Sequence, residues 1–423
     1  MTTWTDRLEK VKVPENWGVV LIPVLLVVFN AYFLQGRFSL GKLLITGMIG
    51  YWLSTGPIFK NRVVPALLYL LTVVIASFFS ADVWLSFWGI FGTYSHGLLA
   101  AMVLIPFYVC FDISSRPAIE KGIRVGAVIM SLVGIGQRFG VGWCPFPLFT
   151  GDRVYATLGS PIDVGAICAL CFPFARTAPE KVLLVLCLWA SGSRGAWIAT
   201  ALGAIYYYWP VISPRIRIWG LILSGVGLIS AMTYRPPSDL GRVAVYHAAV
   251  SSFFARPWLG WGPGNFLMVA ELWRNPLWDE VYGPTTQDHA HNLFLEALST
   301  SGIIGFIGLC ILLWILWSRS DRPARSGLLG LFIVGMLNPL FMASKAIALM
   351  LCASSEKKEP ATKPQIMFVK SMSLISLALV FMLIHWDIMI KVHGKYPWSV
   401  SSIISAYYLG IIKETPTRLK FKL

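Results

Sequence analysis

Charge is what this chain lacks. Only 13% of its 423 residues are Asp, Glu, Lys or Arg, against 56% hydrophobic, and the mean hydropathy is +0.68. Soluble domains carry about 25% charged residues, so a water-soluble fold is excluded and most apolar surface must face lipid or other helices. Acidic residues are the scarcer sign, 20 Asp and Glu against 35 Lys and Arg, leaving a net charge of +15. Cysteine is sparse as well, with seven in all, mostly inside apolar runs. Cys168 and Cys171 form a CxxC with no second pair, which reads as small polarizable packing residues. No internal repeat is evident. The apolar run after MTTWTDRLEKVKVPENW has no small-residue cleavage site, so the first helix reads as retained and not as a signal peptide.

What the chain has instead is a succession of apolar runs long enough to span a bilayer. They fall near 17–35, 39–57, 63–80, 95–112, 119–138, 161–176, 181–191, 195–212, 216–233, 292–318, 326–354 and 366–386. The expected fold is therefore all-α, a polytopic membrane protein with about twelve transmembrane helices and one large outer loop. The expected division is 1–233 for the first group of helices, 234–291 for the loop, 292–386 for the last helices and 387–423 for a basic tail. The run 326–354 is interrupted at Asn338-Pro339, so it reads as one segment or as a there-and-back pair. In the tail, Ser399–Ile412 is apolar enough for an interfacial helix or a further span.

The basic residues set the orientation. Lys60, Arg62, Arg116, Lys121, Arg124, Arg176, Lys181, Arg215, Arg217, Arg319, Arg322 and Arg325 all fall on one side if the N-terminus is cytoplasmic. Lys357, Lys358 and Lys363 join them only if 326–354 runs there and back. The positive charge is thus mostly topological, and no nucleic-acid partner is needed. The lipid bilayer is the partner implied by composition.

Four connections remain for the outer face: 80–97, 140–161, the turn ASGSRGAW at 190–197, and the loop 234–291. The last is the one long stretch that packs charge, histidine, glycine, proline and tryptophan together. Arg153, Arg194 and Arg242 lie on this face with few obvious carboxylate partners. Arg194 follows Ser191-Gly192-Ser193 and opens an apolar helix, which Ser191 or Ser193 could cap. A helix N-terminus with a guanidinium beside it suits an anion, and the guanidinium fork matches phosphate oxygens. Snorkelling at the interface is the plainer alternative.

In DHAHN, His289 and His291 precede an apolar helix. His291, nearest the helix start, suits a catalytic or orienting role, since histidine accepts protons near neutral pH. Capping is the alternative for this pair, and a metal site lacks a third ligand at a usual spacing. Asn292 could bond substrate or backbone. The glycines of GWGPGNF (Gly260, Gly262, Gly264) follow no strand and have the wrong spacing for a dinucleotide loop. A sharp turn or a close backbone approach explains them. Trp258, Trp261, Trp273 and Trp278 could stack on sugars or form an interfacial belt.

These pieces, in order, resemble the O-antigen ligase and polymerase superfamily of bacterial membrane glycosyltransferases. The matching segments are SADVWLSFWGIFGTYSHGLL, DRVYATLGSPIDVGAICALCFPFA, SGSRGAWIA, GRVAVYHAAVSSFFARPWLGWGPGNF and HAHNLFLEALSTSGIIGFIGL. Tyr246, Ser160 and Asp163 depart from residues that the family often carries. The resemblance implies a GT-C-like, metal-independent, inverting glycosyltransferase without a cofactor, in the bacterial inner membrane with its active site periplasmic. It implies a donor glycan on undecaprenyl diphosphate and an acceptor that is lipid A-core or another glycan, with ligase preferred over polymerase. By position in the motifs, Arg194, Arg242 and Arg153 would bind the diphosphate and His291 would orient or deprotonate the acceptor hydroxyl. His289, Asn292 and Trp261 are expected contacts to acceptor or sugar. Protein glycosylation, a transporter and a purely structural membrane protein are the other readings.

Overall fold

The computed structural model describes residues 17–28, 38–89, 96–111, 113–141, 153–215, 218, 236–283, 287–355 and 360–393. They form sixteen α-helices. These are α1 (Trp17–Val28), α2 (Phe38–Ser54), α3 (Lys60–Phe78), α4 (Val83–Trp88), α5 (Leu98–Val109), α6 (Arg116–Arg138), α7 (Pro161–Cys171) and α8 (Ala178–Ser191). They continue as α9 (Arg194–Tyr208), α10 (Pro236–Ala255), α11 (Phe266–Leu272), α12 (Pro276–Tyr282), α13 (Leu293–Arg319), α14 (Arg322–Gly335), α15 (Met342–Ala353) and α16 (Lys363–His393). No strand occurs among the described residues, and Phe59 with Pro360 makes an isolated bridge. The fold is all-α, as the apolar runs imply. Eleven of the twelve runs fall on these helices; 216–233 apart from Ile218, the N-terminal residues 1–16 and the tail beyond 393 lie outside the described residues.

Three helices are both long and apolar enough to cross a membrane: Lys60–Phe78, Leu293–Arg319 and the Lys363–His385 part of α16. The shorter Trp17–Val28, Leu98–Val109, Pro161–Phe174 and Met342–Ala353 are apolar but fall below that length. A membrane protein follows, while the count of about twelve spans is not established by length and composition. Helix starts obey local chemistry. Asp82, Thr177, Asn275, Asn292 and Asp321 each accept a backbone N–H in the first turn of the helix that follows.

The run 326–354 resolves into α14 and α15, and their polar ends show the pair running there and back. Arg116, at the start of α6, donates to Asp321 at 2.8 Å before α14, and to Leu351 O at 2.7 Å and Ser354 at 3.1 Å at the end of α15. Pro360 pairs with Phe59, so the start of α16 joins the same end. Arg124 with Glu180, Arg176 with Glu120, and Arg319 with Asn61 O stitch the rest of that end together. The turns rich in Lys and Arg thus gather at one end of the bundle.

In lipid, helices associate by close packing more than by hydrophobic burial, which favours small residues at contacts. Ser326 on α14 donates to Gly203 O on α9 at 2.7 Å. A Cβ at Gly327 would lie 2.7 Å from Leu170 O on α7. This packing sets α7, α9 and α14 side by side, which brings the turn before α9 and the break after α14 to one place at the opposite end.

α13 is broken near that end. Gly302 has φ +62°, outside helical geometry. The segment 257–262 supplies the partners that the broken turn loses: Ile303 N donates to Pro257 O at 2.8 Å, Trp261 N to Ser299 O at 3.1 Å and Gly262 N to Thr300 O at 2.6 Å. A Cβ at Gly302 would meet the Trp258 carbonyl at 2.4 Å, and one at Gly260 would meet Thr300 backbone at 2.5 Å. Gly260 therefore serves a backbone approach to another backbone, and Gly262 makes room for the Ser80, Ser86 and Asn265 side chains. Broken helices in membranes need such internal partners for the freed N–H and C=O groups. The single run expected at 292–318 is in fact two helical pieces.

Candidate functional site

The site lies at the end of the bundle opposite the arginine–carboxylate stitching. Gly192 ends α8 in the left-handed conformation, φ +57°, which glycine adopts without steric penalty. The chain then reverses and starts α9 at Arg194. Ser193 holds the N-cap position but its side chain makes no cap bond. Ser191 instead donates to Leu188 O at 2.7 Å and accepts from Ser193 N at 3.3 Å. The expected serine cap of α9 is thus absent, because Ser191 is drawn back onto α8. Arg153 lies against this turn, its Nε donating to Ser191 O at 2.9 Å.

Two residues after Ser193, Gly195 packs on Leu337 and Asn338; a Cβ there would lie 3.0 and 3.4 Å from them. Asn338 accepts from Arg242 Nη2 at 3.3 Å. Arg242 is on α10, and one turn further Tyr246 donates to His291 O at 3.4 Å. Arg153, the SRG turn, Asn338, Arg242, Tyr246 and His291 therefore form one continuous neighbourhood, drawn from residues more than 130 positions apart. All three arginines are half-buried. The break at Asn338-Pro339 supplies the residue that ties α9 to α10.

The HAHN turn is held tightly. Asn292 accepts from Phe294 N at 2.9 Å and Leu295 N at 3.2 Å, so its carbonyl oxygen caps α13. Glu296 accepts from Ala290 N at 2.5 Å. His291 sits at φ +52°, a region that costs a non-glycine residue of order 1 kcal/mol or more and that clusters at functional sites. Its Nε2 is 3.2 Å from Gln287 Oε1, and its Nδ1 is buried without a hydrogen-bond partner among the described residues. Burial, assisted by His289 and Arg242 and opposed by Asp288, pulls His291 down to about 4. It is neutral at ordinary pH. His289 is buried behind it, its ring tilted at 49° to that of His96 with centroids 4.2 Å apart. Burial lowers its proton affinity, but Asp288 and Glu296, at 3.4 and 4.0 Å, outweigh that and raise it. The two histidines thus hold opposite protonation preferences. Among the described residues, no three His, Cys, Asp or Glu side chains gather in a geometry able to hold a metal ion.

Four ionisable residues beneath the site escape a reading by apolar runs. Lys42, Asp163 and Glu296 are buried and Lys345 is half-buried, each within about the first turn of α2, α7, α13 or α15 at the site end. Lys42 Nζ donates to Leu26 O and Val27 O at 3.0 Å each, and Asp163 lies within electrostatic reach of Lys42 and Lys345. A single charge inside an apolar run marks function more often than packing. These charges lie beneath the site, at the same end of the bundle. Gln287 and Asn338 also went unseen as site residues.

The loop tryptophans divide. Trp278 is fully buried, and Trp261 is 9% exposed. Trp261 donates to Ser252 O at 3.0 Å, carries Arg256 over its ring at 4.0 Å and meets Trp273 edge-on. Both belong to a hydrophobic core within the loop, with Ala244, Val245, Ala248, Phe266 and Ala290. Trp258, 71% exposed, has an open ring. The described cysteines are unpaired, and Cys168, Cys171 and Cys187 sit in the main apolar core.

One comparison with known families bears on this arrangement. Residues 181–310 match the family described as O-antigen ligase. This match supports the resemblance to the O-antigen ligase and polymerase superfamily over that stretch of the chain. The matched stretch contains Arg194, Arg242, His289, His291 and Asn292, and it excludes Arg153, Lys42, Asp163 and Lys345. No curated protein matches the chain.

Proposed function

We propose that this O-antigen ligase relative transfers a glycan from undecaprenyl diphosphate to an acceptor hydroxyl, with lipid A-core the favoured acceptor. The observation that carries the reading is the single neighbourhood joining the SRG turn, Arg242, Asn338 and His291. Arg194 and Arg242 bind the diphosphate and Arg153 adds charge from the other side of the turn. Neutral His291 accepts the hydroxyl proton. The acceptor oxygen attacks the anomeric carbon with inversion. The diphosphate leaves with the bonding electron pair, and its growing charge is met by guanidinium groups fixed before reaction. Fixed cations can do there what a metal does for many sugar nucleotides, so the enzyme works without one. The site faces the periplasm of the inner membrane, since the arginine-rich end belongs in the cytoplasm.

A crevice of about 240 Å³ favours a lipid-borne donor. It is headed by His96, Glu296 and Lys345, and it continues between apolar side chains such as Leu309, Leu312 and Leu316 along α13. Such a shape accepts the first isoprene units of an amphiphile whose charged head stays at the site.

The surface-glycan ladder of a deletion strain, complemented with wild type or His291→Ala, tests the assignment. Ligase loss removes every glycan-bearing band while polymer accumulates on the carrier lipid. A surviving single-repeat band without the ladder makes the enzyme a polymerase. An unchanged ladder defeats both.

A further inference from the structure

We infer that Gln287 is a positioning residue which fixes the tautomer of His291, making Nδ1 the atom that takes the acceptor proton. This rests on the proposed role of His291 and adds a residue to it. With the Gln287 amide placed so that Oε1 faces His291 Nε2 at 3.2 Å, the oxygen can only accept, which assigns the proton to Nε2. The lone pair of the neutral ring is then on Nδ1. That nitrogen is buried and has no hydrogen-bond partner among the described residues. Buried acceptors are rarely left unsatisfied, and those that are need an explanation in function. A hydroxyl delivered with the acceptor supplies the missing donor.

The neighbouring groups agree with this assignment. His291 is flanked by His289, Asp288 and Arg242, with Tyr246 on its backbone carbonyl. Among the described residues, no side chain hydrogen-bonds to Nδ1. The neutral amide of Gln287 orients the ring without the proton affinity that a carboxylate partner would add. In catalytic triads the group on the far nitrogen selects the tautomer and the ring orientation. Here the step balances simply: the acceptor O–H proton moves to Nδ1, the oxygen bonds to the anomeric carbon, and the electron pair of the broken bond leaves on the diphosphate. The proton is released from Nδ1 to the departing diphosphate or to solvent before the next turnover.

The test uses full-length protein in lipid nanodiscs, a synthetic polyprenyl-diphosphate glycan and a purified core-glycolipid acceptor. Rates are taken across pH for wild type, Gln287→Glu, Gln287→Leu and His291→Ala, with donor binding and thermal melting measured on each. Gln287→Leu is expected to lower kcat about tenfold or more, with donor binding and melting unchanged. Gln287→Glu is expected to retain transfer but to move the acid limb of the profile to higher pH, because a carboxylate on Nε2–H stabilises the imidazolium. Wild-type rates and profile in Gln287→Leu, or identical profiles for the Glu and Leu variants, overturn the tautomer assignment while His291 keeps its role. Normal transfer by His291→Ala overturns both.

Discussion

Asn338 joins two parts of the site: its Oδ1 accepts from Arg242 Nη2 at 3.3 Å, and its amide nitrogen lies where any side chain on Gly195 would touch it. The residue after Arg194 and the guanidinium of Arg242 thus meet on one amide, placed by the break between α14 and α15. Arg242→Ala and Arg194→Ala should abolish transfer with the protein still inserted in membranes. Lys at either position should restore little, because an ammonium lacks the planar fork. Asn338→Ala should weaken donor binding less than loss of either arginine. Donor binding by tryptophan fluorescence or filter assay, alongside transfer rates, separates these outcomes.

His291 is drawn down to about 4 by burial and by His289 and Arg242. A base works unprotonated, so the rate should fall as pH drops through that value and hold above it. Bound diphosphate adds negative charge nearby, which raises proton affinity. The acid limb of kcat, which reports the complex, should therefore lie above that of kcat/KM, which reports free enzyme. His291→Ala should lose about a hundredfold or more in kcat with donor binding largely kept. Limbs in the reverse order would remove the diphosphate from the neighbourhood of His291.

Gly302 and Gly260 are a matched pair of close approaches between α13 and the loop. Gly302→Ala puts a Cβ 2.4 Å from the Trp258 carbonyl and forces a residue other than glycine to φ +62°. Both effects act on folding, at about 1–3 kcal/mol for the backbone alone. The expected result is a lower melting temperature and less protein in the membrane. Transfer per folded molecule should fall only as far as the HAHN turn moves.

Arg116 is buried between Asp321, Glu120 and the end of α15. Removing Arg116 takes the partner from Asp321 and a donor from Leu351 O, while Glu120 keeps Arg176, a loss of about 1–3 kcal/mol. Arg116→Ala should unfold at lower temperature and denaturant, with donor binding per folded molecule unchanged. The contrast with Arg242→Ala, which should lose binding and keep its melt, separates the two ends of the molecule.

Much of the site could be read from residue types alone. Arg194, Arg242 and His291 stand out because each is polar where its neighbours are apolar or aromatic. The Asn338-Pro339 break showed for the same reason. The kink at Gly302 did not, since an isolated glycine in an apolar run fits an unbroken membrane helix as well as a broken one. Its partner is Trp258, and that pairing is a long-range contact which periodicity does not encode. Lys42, Asp163 and Lys345 were visible as single charges in apolar runs, but only the packing of α2, α7 and α15 places them beneath the histidines. Gln287 stood in a polar stretch where nothing marked it, and its role rests on the geometry of one ring nitrogen.

The most direct test of the central claim is reconstituted transfer. Purified protein in nanodiscs receives a synthetic polyprenyl-diphosphate glycan and core glycolipid, with EDTA present throughout, and mass spectrometry follows both products. The account predicts equal amounts of free polyprenyl diphosphate and glycosylated acceptor with wild type, and neither with Arg194→Ala, Arg242→Ala or His291→Ala. Transfer by the variants at the wild-type rate, or transfer that stops in EDTA and returns with a divalent metal, would contradict it.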